Sequence, residues 1–300
     1  MGEVLDILMR ELPLVEAKAA GRRVILEQGM AARLIFLVLG RDWYQKRVMF
    51  RPDPDDWMLN GNDAWLETTA IPDDVRRIVY THRVVRLADA LYTLITGQAK
   101  GLDLLRRRLQ TRPTKPSFIE TEIASLLVFQ GFELEVVGEK GKRGDDFDFL
   151  ATRGGITVSI EVTSKNVDSL SPKTLRNTLF KKRNQVPPGQ PAVLYIHIPA
   201  KWMRDARVTQ SIFNEALIDF MTRSRRFNAV IFVYEEVIPW LDGGFPRMAL
   251  RACFNERPRW PFPERNLFEA REIAEGNFSM ARSFLDELLR HREKVAQQGD

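Results

Sequence analysis

Three acidic residues in the middle of the chain stand where their carboxylates can converge. Glu120 lies in a segment with helical spacing of apolar residues, Asp148 in a short strand segment, and Glu161 in the next strand. Carboxylate oxygens are the ligands that Mg²⁺ prefers, and a bound magnesium ion activates water and offsets charge on a phosphate group. The sequence therefore predicts that these three side chains hold Mg²⁺ or Mn²⁺.

The alternation of side chains along strands decides which of these residues can lie together. Glu161 and Lys165 share one strand face, because residues two or four apart point the same way. If the strands of Asp148 and Glu161 pair through the glycine turn at 154–155, both carboxylates lie on one surface near one end of the hairpin. The preceding helix then directs Glu120 toward that end.

Each acid also has an ordinary structural explanation. Ser117 and Glu120 have the spacing of a capping box at a helix start. Asp148 follows a glycine and lies near a turn, where aspartate is common. Glu161 fits the polar face of a half-exposed strand. Their occurrence together, in the order helix, strand, strand, favours a shared site.

The elements that must position these acids follow a regular order after residue 117. Helices are predicted over 117–130, 172–185 and 208–221, and strands over 134–137, 147–151, 156–163, 192–198, 229–234 and 248–254. The continuous apolar run at 192–198 is typical of a central strand covered on both faces. The pattern predicts an α/β fold, a mixed β-sheet flanked by helices.

The chain divides into three parts by composition. Residues 1–112 show helical periodicity and predict an all-α N-terminal domain, with a loop at 51–74 and a helix opening at Pro72. Pro113 and Pro116 mark a stiff connector. Residues 113–260 form the predicted α/β core, and 261–300 a C-terminal loop and helix packing on that core.

Composition excludes several classes of protein. The 300 residues are 44% apolar, enough for a large core, and no apolar run approaches the roughly 18–20 residues of a membrane span. One cysteine, Cys253, excludes an internal disulfide framework and a cysteine-rich zinc site. A single packed cysteine fits a cytoplasmic location, which we expect, and no signal peptide is visible.

The distribution of charge favours a polyanionic partner. The net charge is +5, and basic clusters occur at 106–108, 140–143, 181–183 and 223–226. A solvated helix end or loop is the alternative for each cluster. The residues that we expect to contact phosphates are Lys140, Lys142, Arg143, Lys181, Lys182 and Arg183.

The segment 117–235 resembles the core of the PD-(D/E)XK nuclease superfamily, the restriction endonuclease-like fold. The matching residues are Glu120, Ala124, Leu126, Leu127, Gly131 and Phe132 at the helix, Asp148 at the second strand, and Glu161 in the third. The resemblance implies a restriction endonuclease-like sheet, a magnesium-dependent nuclease activity on DNA, and catalytic roles for the three acids. It also implies that the basic helix approaches the site, with Gln185 at its end.

The chain departs from this family at the lysine that follows the last acid by two residues. Thr163 stands in that position. Lys165 lies on the same strand face about 6–7 Å further along and is the first candidate for the catalytic cation. Lys182, on the basic helix, is the second.

Two functional hypotheses and one structural alternative follow. The first is a metal-dependent nuclease that hydrolyses phosphodiester bonds, with DNA as the expected substrate. The second is a catalytically weak protein of the same fold that binds nucleic acid or a protein partner without cleavage, which Thr163 favours. A helical interaction protein with a purely structural α/β half is the third. The N-terminal helices would supply target recognition, a homodimer contact or a protein partner's site.

Overall fold

The computed structural model describes residues 2–49, 73–138, 141, 146–165, 171–199, 202, 206–240, 243–262 and 283–298. The helices within these ranges are α1 Gly2–Ala19, α2 Arg23–Leu39, α3 Arg41–Tyr44 with a π-helical turn Gln45–Met49, α4 Asp73–Thr96, α5 Leu102–Thr111, α6 Thr114–Phe129, α7 Pro172–Arg183, α8 Ala206–Arg223 and α9 Phe284–Gln298. The strands are β1 Glu133–Val136, β2 Phe149–Arg153, β3 Ile156–Ser164, β4 Ala192–His197, β5 Phe227–Trp240 and β6 Gly243–Phe254.

The described strands form one mixed sheet in the order β1-β2-β3-β4-β5-β6. The β1–β2, β2–β3 and β5–β6 pairs are antiparallel, whereas β3–β4 and β4–β5 are parallel. The two parallel connections pass through α7 and α8, as parallel pairing requires a crossover. The predicted mixed α/β architecture preceded by helices is therefore confirmed.

Two apolar layers cover the sheet. Val158, Ile160 and Tyr195 belong to a core shared with the N-terminal helices and α6. Leu194 and Phe232 face the other way, into a core shared with α7 and α8. Consecutive residues of a strand point to opposite faces, so β4 is buried along its whole length, as its apolar run predicts.

The hairpin that joins β2 to β3 depends on two glycines. Gly154 and Gly155 have φ values of 57° and 76°, the left-handed conformations that a two-residue hairpin turn demands. The resulting register pairs Phe149 with Ile160 and Ala151 with Val158. The turn therefore sets the alignment of Asp148, which precedes β2, with Glu161.

One local prediction is wrong at a helix start. Helix α6 begins at Thr114, with Pro113 as its cap residue and no side-chain cap, so Ser117 lies inside the helix. The Ser117 hydroxyl donates to the carbonyls of Arg108 and Pro113, and no capping box with Glu120 forms. Helix α1 continues through Pro13. Most of the predicted loop at 51–74 lies outside the described residues.

A buried ionic network joins the N-terminal helices to the sheet. Arg86 on α4 pairs with Glu122 on α6 and Glu235 on β5, and Arg83 also pairs with Glu235. All four side chains are at most 2% exposed. Burial disfavours the charge of Arg86, but Glu122 and Glu235 more than offset this and raise its pKa. The network therefore fixes α4 and α6 against β5.

We expect Arg86→Leu to lower the free energy of unfolding by about 3–5 kcal/mol, because it leaves two buried carboxylates without their shared partner. Urea unfolding followed by circular dichroism measures the change. Arg290→Leu is the matched control, since Arg290 pairs with Glu287 at the surface and such pairs contribute about 0–1 kcal/mol. A loss below about 1 kcal/mol for Arg86→Leu would show that the network is not needed for stability.

Candidate active site

The β2–β3 pairing brings two of the predicted acids to adjacent strands. Asp148 lies one residue before β2, where its backbone N–H still donates to the carbonyl of Ile160. Its Oδ2 accepts a hydrogen bond of 2.8 Å from the N–H of Val162. Asp148 therefore lies beside Glu161, which precedes Val162 on β3. The side chains predicted to meet across the hairpin do lie on neighbouring strands.

The third acid reaches the site from α6 through an arginine. The Nη1 of Arg108 lies 3.3 Å from Oε2 of Glu120 and 3.3 Å from Oδ1 of Asp148. Arg112 lies 3.7 Å from the other oxygen of Glu120. The guanidinium of Arg108 thus stands between two carboxylates, at the place where the sequence predicted a metal ion.

Arg108 is held in place by the strand next to the site. Its Nη2 donates to the carbonyl of Val137 just after β1, and its side chain is 6% exposed. A solvated helix end was the alternative interpretation of the basic cluster at 106–108, and at Arg108 that alternative is wrong. A signal was present in the spacing, because Leu105 and Leu109 are buried on the same face of α5 and residues three or four apart share a helix face.

Lys182 on α7 contacts the remaining acid. Its ammonium donates to Oε1 of Glu161. Glu161 is 1% exposed, so the prediction of a half-exposed polar strand face is wrong at this position, because α7 covers that face. The second oxygen of Glu161 is buried and has no hydrogen-bond partner within the described part of the chain. A buried carboxylate oxygen without a donor is costly, and it offers a ligand position.

The other predicted site residues lie around this group. Lys165 follows β3, with its N–H donating to the carbonyl of His197, and its side chain makes no ion pair with any described residue. Gln185 donates its side-chain amide to the carbonyl of Asp146 at 3.3 Å. Lys181 and Arg183 lie at the C-terminal end of α7. The predicted phosphate-binding residues Lys140, Lys142 and Arg143 lie outside the described residues.

Burial raises the pKa of all three acids, and repulsion from Asp148 adds to this at Glu120 and Glu161. Burial, and then the charge of Asp148, raise the pKa of Glu120 to about 7 against the opposing effect of Arg108. Burial also raises the pKa of Asp148, which the Val162 N–H opposes. Burial and Asp148 together hold the pKa of Glu161 well above its usual range, opposed by Lys182. Clustered, strongly perturbed acids of this kind are typical of functional sites.

The pKa of Lys165, a cation near the site, is lowered, whereas the pKa values of the acids are raised. Burial, together with the charges of Lys181 and Lys182, lowers the pKa of Lys165. The ammonium of Lys165 therefore feels the two lysines of α7 more than it feels the acids. Of the two candidate cations, Lys182 is the one that contacts a carboxylate.

The donor set fits a hard divalent cation, although the arrangement of the side chains is that of an ion-paired site. Within the described residues, no three His, Cys, Asp or Glu side chains are grouped tightly enough to hold a metal ion. Arg108 and Lys182 instead neutralise the acids. Asp148 and the orphaned oxygen of Glu161 supply the carboxylate chemistry that Mg²⁺ or Mn²⁺ requires. Metal binding by these residues stays a prediction.

We expect Asp148→Asn to lower the pKa of Glu120 from about 7 toward its ordinary value of 4.5, because the charge of Asp148 is the main cause after burial. Carbon-13 NMR titration of glutamate carboxyl groups in protein treated with EDTA measures this shift. Glu135→Gln is the control, since Glu135 is exposed on β1. If the pKa of Glu120 were the same in Asp148→Asn as in the wild type, repulsion from Asp148 would be excluded as a cause of the raised pKa.

Comparison with known proteins gives little to add to this geometry. No protein-family model matches the chain, and no curated protein matches it either. None of the helices in the described ranges combines the length and apolar composition needed to cross a membrane. Among solved structures, SfsA from Pyrococcus furiosus in complex with Ca²⁺ matches at 14% sequence identity. That match covers 45% of this chain and 60% of SfsA with a TM-score of 0.22, too low to bear on fold or function.

Proposed function

We propose that the protein is a metal-dependent nuclease of the PD-(D/E)XK type, acting on DNA. The observation that carries this proposal is the meeting of Asp148 and Glu161 on neighbouring strands with Lys182 bound to Glu161. This group combines acids with raised pKa values and Lys182, the second of the two candidate cations. Pairs of acids beside a lysine suit phosphodiester hydrolysis, which needs a bound metal ion and stabilisation of developing negative charge.

Asp148 and Glu161 would hold Mg²⁺ or Mn²⁺, which when bound supplies a nucleophilic water and charge relief at the phosphate. The Val162 N–H orients Asp148 by donating to its Oδ2, so that Oδ1 is the oxygen directed toward Arg108. Glu120, with a pKa of about 7, is poised to accept or release a proton near neutral pH. The sheet, α5 and α6 thus pre-position the acids.

Lys182 takes the role that the family assigns to a lysine two residues after the last acid. It reaches Glu161 from α7, while Thr163 stands at the usual position on β3. An ammonium at this place orients water or stabilises the charge that develops on the phosphate. Lys165 lies close enough to Lys182 for the α7 charges to lower its pKa, and it adds to the positive field around the phosphate.

We expect Asp148→Asn and Glu161→Gln to reduce Mg²⁺-dependent cleavage about 10³-fold, because several kcal/mol of charge stabilisation are lost. Lys182→Met should reduce cleavage about 10²-fold or more, and Lys165→Met by less. Cleavage of plasmid and short duplex DNA by the purified protein measures all four variants, with circular dichroism to verify folding.

The two lysine variants also separate the candidate cations. A larger loss in Lys165→Met than in Lys182→Met would assign the catalytic cation to Lys165. Cleavage that persists in both Asp148→Asn and Glu161→Gln would rule out the proposed metal site. Glu135→Gln on the exposed edge of the sheet serves as the control for a lost carboxylate and should cleave like the wild type.

A second candidate function is binding of nucleic acid without cleavage. The position of Arg108 favours it, since this guanidinium bridges Glu120 and Asp148 and competes directly with a metal ion for their charge. In that case the two cations replace the metal permanently, and the fold serves as a binding module.

Metal binding itself distinguishes the two candidates. For the nuclease we expect Mn²⁺ to bind, as followed by electron paramagnetic resonance of the free ion, and Glu161→Gln to weaken that binding at least tenfold. Arg108→Gln should strengthen it, because the competing charge on Asp148 is removed. Absence of Mn²⁺ binding in both the wild type and Arg108→Gln would favour the binding module.

A further inference from the structure

A cluster of exposed arginines around a tryptophan lies beyond one end of the sheet. We call this cluster, formed by Arg225, Arg257, Arg259 and Trp260, the arginine–tryptophan patch. All four residues are exposed, and Trp260 retains 39% of its surface. None of the three arginines forms an ion pair with any described residue, so no described carboxylate neutralises their charge; the exposed Glu256 is the adjacent acid.

Hydrogen bonds hold the residues of the patch next to one another. The Arg259 N–H donates to the carbonyl of Arg225, and Nε of Arg225 donates to the carbonyl of Arg257 at 3.2 Å. The indole N–H of Trp260 donates to the carbonyl of Pro188 at 3.2 Å. Asn228 donates to the Trp260 carbonyl at 2.9 Å. These hydrogen bonds therefore hold the indole ring, the Arg225 side chain and the backbone of Arg257 and Arg259 in one arrangement.

The indole presents a surface suited to a flat ring. Its polar N–H is already satisfied by Pro188, so its exposed part is aromatic. The guanidinium of Arg259 lies 5.4 Å from the ring centroid, a cation–π distance. An aromatic ring bordered by arginines is the arrangement that proteins use to stack bases and bind the adjoining phosphates of single strands.

The patch is connected to the candidate active site by the end of α7. Arg226, next to the patch, donates to the carbonyls of Arg183 and Val186, and Lys182 on the same helix binds Glu161. In the sheet, Glu161 pairs with Leu194, and Ala192 pairs with Phe227. Phe227, which follows Arg225 by two residues, therefore lies about 7 Å along and about 10 Å across the strands from Glu161.

We propose that the arginine–tryptophan patch binds single-stranded nucleic acid that passes over the end of α7 from the active site, with a base stacked on Trp260. The direction of the strand rests on the proposed nuclease function, whereas binding at the patch does not. Duplex DNA is a poorer fit, because its bases are stacked on one another and cannot stack on Trp260. An acidic protein is also a poorer fit, because it would bind the arginines and leave the indole ring unused.

The first test is the affinity of the full chain for a fluorescein-labelled oligothymidylate of 20 residues, measured by anisotropy in EDTA. We expect Trp260→Leu to weaken binding roughly 5- to 150-fold, the range for loss of one stacked base. Trp260→Phe should restore most of the affinity, because it keeps an aromatic face. Equal affinity of wild type and Trp260→Leu would overturn the proposal.

The charge contribution has its own matched pair of variants. Arg257→Gln combined with Arg259→Gln should weaken binding about tenfold and reduce the slope of log affinity against log salt by about 1.4, since each lost phosphate contact on a single strand contributes about 0.7. Arg10→Gln combined with Lys18→Gln removes the same charge from exposed positions of α1 and should change little. If both double variants weakened binding equally, only the net charge of the protein would matter for binding, and the proposal would be overturned.

Competition with unlabelled ligands identifies what binds the patch. Cleavage assays then separate the binding proposal from the nuclease proposal. Unlabelled single strands should displace the probe better than duplex, and poly-L-glutamate should displace it poorly. Strong displacement by poly-L-glutamate, equal in Trp260→Leu, would indicate an acidic protein and overturn the proposal. If the patch variants lose binding and the wild-type protein shows no metal-dependent cleavage, the binding proposal is supported and the nuclease proposal is rejected. Normal binding in patch variants with cleavage lost in Asp148→Asn supports the nuclease and rejects the patch.

Discussion

Compensation of buried negative charge is the constraint on which the arrangement of the site depends. Glu120, Asp148 and Glu161 are buried close together; Asp148 raises the cost of ionising Glu120, and Asp148 and Glu120 raise the cost of ionising Glu161. Removing such charges from water is costly unless opposite charges accompany them. The compensating cations come from different layers, Arg108 from α5 and Lys182 from α7. The helices on both sides of the sheet are thereby tied to the geometry of three acids.

Helix α6 shows how far this constraint extends. Glu120 and Glu122 are two residues apart and so point to different sides of the helix. Glu120 meets Arg108 at the site, whereas Glu122 meets Arg86 in the network that holds α4. Since α6 is buried from Ser117 to Leu127, neither acid can turn toward water. Ion pairs on two sides of α6 therefore fix the position of the helix, which suits a site that needs a fixed carboxylate.

The sequence predicts the parts of this structure that local rules control. The glycine turn and strand alternation place Asp148 beside Glu161, and the apolar run of β4 marks the sheet centre. The partners of the acids are not predictable in this way, because Arg108 and Lys182 reach them across the fold. Glu161 was expected on a half-exposed face because alternation shows which residues share a face, but not whether a helix covers it. The spacing of Arg108 with Leu105 and Leu109 was the one local signal of its burial.

In the proposed nuclease, Thr163 at the position of the superfamily's lysine is best understood together with Lys182. Strand alternation places residue 163 on the same face as Glu161, the face that α7 covers. Lys182 already binds Glu161 there, and the lysines of α7 already lower the pKa of Lys165. A further ammonium at residue 163 would face the same like-charge repulsion. A neutral side chain on β3 and a lysine on α7 are therefore compatible with each other, because the positive charge beside Glu161 comes from the helix and not from the strand.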